Sequence, residues 1–148
     1  MPLSMQFLVQ MSFSFMGTIG YALCVNIPRK ALIGCGMCGM FGWLVYWLMW
    51  HFLLAGKVSS SLIAALVIGL ISYIFAKYKK MPVTLFNIPA LVPLVPGATA
   101  YEAVRAMVSG EFVNGVRLFL MTVMIIGAIA MGYMIAQVII DIAKSFKK

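Results

Sequence analysis

The residues with the most chemical potential in this chain are prolines in a hydrophobic run. Pro89, Pro93 and Pro96, with Pro82 before them and Gly97 after, break up an apolar stretch. Proline lacks a backbone N–H and clashes with the turn before it, so this spacing predicts a broken helix with unpaired carbonyls and amides. At membrane depth such groups must be buried in protein or line a wet cavity. Discontinuous helices of this kind form the substrate sites of secondary transporters, so the pattern points to transport. Polar groups flank the break. Asn87 offers both a donor and an acceptor, and the Tyr101 hydroxyl can serve a carboxylate or an ammonium. Thr99 and Glu102 have the spacing of a capping box, which predicts a helix beginning at Thr99 and stopping at Gly110. Glu102 and Arg105 are spaced to pair at i, i+3. A charge near the membrane also suggests a substrate or proton role, but for Glu102 the cap is the stronger reading.

Two other motifs have a chemical and a packing reading. Cys35 and Cys38 form a Cys-x-x-Cys, which suggests a redox pair or half a metal site. Zinc would need four ligands, and only Cys24 and His51 remain to supply them. Ala31, Cys35 and Gly39, and likewise Gly34, Cys38 and Gly42, recur every four residues, so close helix packing is favoured. His51 follows Trp43, Trp47 and Trp50; a place in an interfacial aromatic belt is favoured over proton coupling. No metal, cofactor or catalytic group is predicted, and the chain does not read as an enzyme. With no nucleotide-binding motif, transport must draw on an ion gradient or on the substrate's own gradient.

These residues sit in a chain whose solvent is lipid. Of 148 residues, 64% are hydrophobic and 9% charged, against roughly 25% charged in soluble domains. The net charge of +8 would suggest nucleic acid in a soluble protein. Here the cations end hydrophobic runs, as in membrane proteins, and nucleic acid is set aside. The amino-terminal stretch has no basic residue before its apolar part and no small-residue cleavage pattern, so it is expected to be a retained span. The predicted architecture is all-α: one transmembrane domain over residues 1–148, with spans at 3–26, 31–54, 58–76, a broken 82–97 and 116–142, and a short polar helix at 99–109.

Charge predicts the topology. If 82–97 crosses, the eight cations Arg29, Lys30, Lys77, Lys79, Lys80, Lys144, Lys147 and Lys148 share one side, and Lys57, Arg105 and Arg117 the other. A re-entrant segment would move the basic tail across and reduce the asymmetry to seven against four. The positive-inside rule therefore predicts five crossings, with the amino terminus outside and the carboxyl terminus cytoplasmic. Within the spans, Ser12 and Ser14 can bond backbone carbonyls. Gln10 and Gln137 are expected to face other helices, and Asp141 to pair with Lys144.

The run FNIPALVPLVPG at 86–97, followed by Tyr101, closely resembles the second half of the threonine/serine exporter family. In order and length the whole chain is similar to the free-standing small subunit of its split members. The resemblance implies export of threonine and serine, or in some split members of dicarboxylates such as succinate, across a bacterial cytoplasmic membrane. It implies a larger partner subunit with its own five spans, the two halves forming an inverted repeat. Asn87, Pro89, Pro93, Pro96, Gly97, Thr99, Tyr101, Glu102 and Arg105 are the expected substrate-binding residues. Ala90 departs from the glycine that many relatives carry. A pore-forming or structural membrane subunit is the alternative, and a membrane thiol oxidoreductase using Cys35 and Cys38 a weaker one.

Overall fold

The computed structural model describes residues 3–52 and 56–146, which contain helices and no strand. In chain order these are α1 (Leu3–Cys24), α2 (Arg29–Phe52), α3 (Lys57–Lys79), α4 (Thr84–Ala90), a 3-10 turn (Val92–Leu94), α5 (Gly97–Val108) and α6 (Phe112–Ser145). The four helices α1, α2, α3 and α6 are long and apolar enough to cross a membrane, and Thr84–Leu94 forms a shorter, bent apolar segment. The chain is a multi-pass membrane protein. The expected end of the second span at Leu54, and Lys147 and Lys148 of the basic tail, lie outside the described residues.

Helix ends follow local chemistry. After α1, Asn26 takes a left-handed φ of 58°. The N–H groups of Asn26 and Ile27 then bond the carbonyls of Leu23 and Ala22, and Pro28 prevents continuation. Gly110, at φ 86°, closes α5 the same way, its N–H and that of Glu111 reaching Met107 and Ala106. That stop matches the expectation. Because the cap finishes the turn so quickly, α6 starts at Phe112 rather than 116 and runs 34 residues. At ~1.5 Å per residue this is about 50 Å, well over the ~30 Å hydrocarbon core.

Small residues set the packing. α2 lies between α1 and α3, and its glycines and cysteines are buried. A Cβ on Gly39 would collide with Thr18, one on Gly42 with Ile68, and one on Gly36 would reach Phe15. Hydrogen bonds cross the α1–α2 seam, from Ser14 Oγ to the Gly39 carbonyl at 3.2 Å and from Trp43 Nε1 to Gln10 Oε1 at 2.8 Å. Gln10 therefore faces α2 as expected. Ser12 bonds its own helix at the Leu8 carbonyl, 2.8 Å away.

α3 and α6 run parallel. Gly132 sits against Leu62 and Ala65, Gly69 against Ala136, and Lys144 Nζ lies 5.3 Å from the centre of the Tyr73 ring. Two parallel helices require the chain between them, 80–111, to travel from one end of the bundle to the other. Lys79 Nζ also bonds the Lys30 carbonyl at 2.7 Å. Arg29 and Lys30, the end of α3 and the end of α6 thus gather at one end, where Lys144 pairs with Asp141 at 3.1 Å as expected. Gln137 corrects an expectation: it is exposed and bonds Asp141 at 3.3 Å on its own helix. A carboxylate one turn away is a nearer acceptor than any neighbouring helix offers.

Candidate functional site

Most of the chain's interest lies between α4 and α5. Pro89 does not break α4; it stays inside the helix, buried beside Phe86 and Ala90. The break comes later and has a local cause. A residue before proline is pushed out of the helical region, and Val95, before Pro96, is extended at φ −62°, ψ 125°. Pro96 follows at φ −77°, ψ 53° and serves as the N-cap of α5. The helix therefore begins at Gly97. This corrects the capping box: Thr99 is already the third helical residue, and no side-chain bond caps α5.

Backbone groups are left over on both sides of the bend. Pro96 has no N–H for Pro93, and the Gly97 N–H turns to Val95 at 2.8 Å. No backbone donor among the described residues reaches the Pro93 or Leu94 carbonyl, and no backbone acceptor takes the Ala98 or Thr99 N–H. The last two are the orphan donors of a helix start, where a partial positive charge also gathers.

A cavity of about 220 Å³ opens at this point, lined by Pro93, Pro96, Gly97, Ala98 and Thr99 from the broken segment. Trp43 and Tyr46 of α2, Lys57 and Ser61 of α3, and Ile125 of α6 complete its wall. Trp43 stacks on Tyr46 with ring centres 5.2 Å apart. Ser61 Oγ is held on the Lys57 carbonyl at 2.7 Å. The volume is below the roughly 300–1,000 Å³ of drug-sized sites, which suits a small solute. Donors, acceptors, one cation and two aromatic faces could together hold a small carboxylate-bearing molecule.

The expected site residues divide. Pro93, Pro96, Gly97 and Thr99 meet in the cavity. Asn87 stands on α4 outside it, its Oδ1 buried without a hydrogen-bond partner. Tyr101 is exposed. Glu102 and Arg105 line a different hollow, of about 360 Å³, with Ser109, Glu111 and Asn114 between α5 and α6. Among the described residues no ion pair joins Glu102 to Arg105, which corrects that expectation: both side chains are exposed, and water competes for them. Trp43, Tyr46, Lys57 and Ser61 are residues the sequence reading did not select. Lys57 begins α3, one residue before the expected start of the third span.

A bilayer-spanning helical bundle with one proline-broken segment opening into a small cavity is the arrangement of a multi-pass membrane protein. The chain belongs to the family described as threonine/serine exporter, ThrE, whose model it matches over residues 10–139. An uncharacterized protein of Haemophilus influenzae is 29% identical over 137 residues, covering 86% of this chain and 46% of that relative. The chain thus spans about half the length of this relative. No solved structure matches it.

Proposed function

We propose that this chain is the small half of a two-component secondary exporter for small amino acids such as threonine and serine, or for small dicarboxylates. The observation that carries this reading is the bend at Val95 and Pro96, where unpaired backbone donors and acceptors line one cavity with Lys57. A substrate carboxylate binds the Ala98 and Thr99 N–H groups, favoured by the start of α5 and by Lys57. An ammonium, where present, takes the Pro93 and Leu94 carbonyls. Binding alternates as one half rocks against the other, and no covalent chemistry is required.

Two features support a companion subunit. The chain covers only 46% of its longer relative, which leaves room there for a second half. In addition, among the described residues α5 packs on α6 alone, while Val108, Phe112 and Val113 at the tip of this hairpin are exposed. The larger subunit covers this surface, and the two halves form the inverted repeat. The end of α3 and the end of α6, where the cations gather, face the cytoplasmic side of a bacterial inner membrane and the amino terminus lies outside, a reading the positive-inside rule supports.

The test is export of radiolabelled threonine, serine and succinate from cells lacking their own exporters. The expected result is saturable, gradient-dependent export when this chain is expressed with the larger subunit and none with either alone. Robust export by this chain alone defeats the half-transporter reading.

A further inference from the structure

The two cysteines of α2 meet different partners. Cys35 is 0% exposed, and its thiol donates to the carbonyl of Leu85 on α4 across 3.2 Å. Leu85 lies four residues before Pro89, so it is the carbonyl whose helical donor the proline removes. A buried carbonyl left without a donor is costly. The thiol therefore fills a vacancy that the proline creates, from the neighbouring helix.

Apart from this bond, α4 is held by apolar burial of Phe86, Pro89 and Ala90. It is seven residues long, and isolated helices that short are unstable. Phe86 is fully buried over Gly34, where an added Cβ would meet its ring at 2.7 Å, and it stacks on Phe75 at 6.3 Å. The ring resists displacement but, as an apolar contact, is non-directional. The thiol bond is directional and contacts the backbone itself. Cys38, one turn further along, is also buried, and among the described residues no hydrogen bond joins it to α4.

We propose that Cys35 is a positioning residue for the substrate site: its S–H group replaces the donor lost at Pro89, fixes α4 against α2, and so sets the Val95–Pro96 bend and the start of α5. The thiol acts as a hydrogen-bond donor and undergoes no redox step. The transport consequence rests on the function proposed above; the hydrogen bond does not, and two readouts separate them.

The first readout is the S–H stretching band of Cys35 in the purified complex, isolated by replacing Cys24 and Cys38 with alanine. It is expected at the lower frequency of a bonded thiol. It should move to the free-thiol position in Pro89→Ala, which returns a backbone donor to Leu85. A free-thiol band in the parent protein overturns the proposal, whatever the protein transports. The second is transport kinetics of Cys35→Ser, Cys35→Ala and Cys38→Ala beside the larger subunit. The hydroxyl of Cys35→Ser should keep the wild-type KM within about twofold, and Cys38→Ala should do the same. Cys35→Ala should raise KM about fivefold at normal membrane abundance, the scale of one neutral hydrogen bond. Equal KM values for Cys35→Ala and Cys35→Ser overturn the positioning role. If the band is shifted as expected but no substrate is transported by any form, the function proposed above fails and the hydrogen bond stands.

Discussion

The bundle of α1 to α4 with the second part of α6, and the hairpin of α5 with the first part of α6, have different surroundings. In the bundle, helices approach until glycines touch side chains: Gly39 meets Thr18, Gly42 meets Ile68, and Gly132 meets the Leu62 carbonyl. In the hairpin, α5 has α6 as its only described neighbour, and Val113 at its tip is 86% exposed. Lipid offers no hydrophobic drive between helices, so the bundle is held by close packing and interhelical hydrogen bonds. The hairpin is as close within itself, Gly115 lying against Met107 and the Ala103 carbonyl, but it has no second described helix to pack on and has apolar surface to spare. The cavity sits where the two regimes meet. A rigid wall comes from α2 and α3, and the other wall is the bend from which the hairpin departs.

That contrast can be broken most severely in the bundle. Gly132→Val places carbon against the backbone of Leu62, where nothing flexible can yield. Overpacking of this kind costs typically 1–3 kcal/mol, so membrane abundance and thermal stability in detergent should fall sharply. Gly127→Val, on the same helix with open space around its Cα, should show near-normal levels. Equal losses for both would mean that the seam is not set by close approach.

At the junction, Lys57→Gln should leave abundance unchanged and raise KM for a carboxylate substrate about fivefold, the scale of a charge near a helix start. Uptake into vesicles over a range of substrate concentrations reads this directly. On the hairpin, Val113→Asp should leave the bundle's stability intact and reduce co-purification of the larger subunit. A variant that still co-purifies fully removes the tip from the interface. The smallest effect is expected from Glu102→Gln, which lies outside the cavity and caps nothing; KM should stay within twofold. Abolished transport by that variant would return Glu102 to the pathway.

Much of the bundle was legible in the sequence because membrane spans announce themselves by length and apolarity. The small-residue stripes of α2 showed its role as the central packing surface. The break was also legible, though its position was not. Four prolines look alike in a sequence, yet Pro89 is absorbed because Cys35 supplies a donor to Leu85, while Val95 before Pro96 turns extended. The capping box failed for the same reason: Pro96 caps α5, which begins at Gly97, two residues before Thr99. Trp43, Tyr46, Lys57 and Ser61 were invisible as site residues because they come from two other helices, and only the fold brings them to the bend. Gln137 misled because a partner on its own helix satisfies it.

The proposed substrate position is the bend, against the start of α5. Its most direct test places a cysteine at Ala98 in a Cys24→Ser background, co-expressed with the larger subunit, and follows maleimide labelling over time. Threonine, serine or succinate should slow labelling at that position in a saturable way, while Val108→Cys at the far end of α5 reacts at an unchanged rate. Labelling of Ala98→Cys at the same rate with and without each substrate would contradict the account.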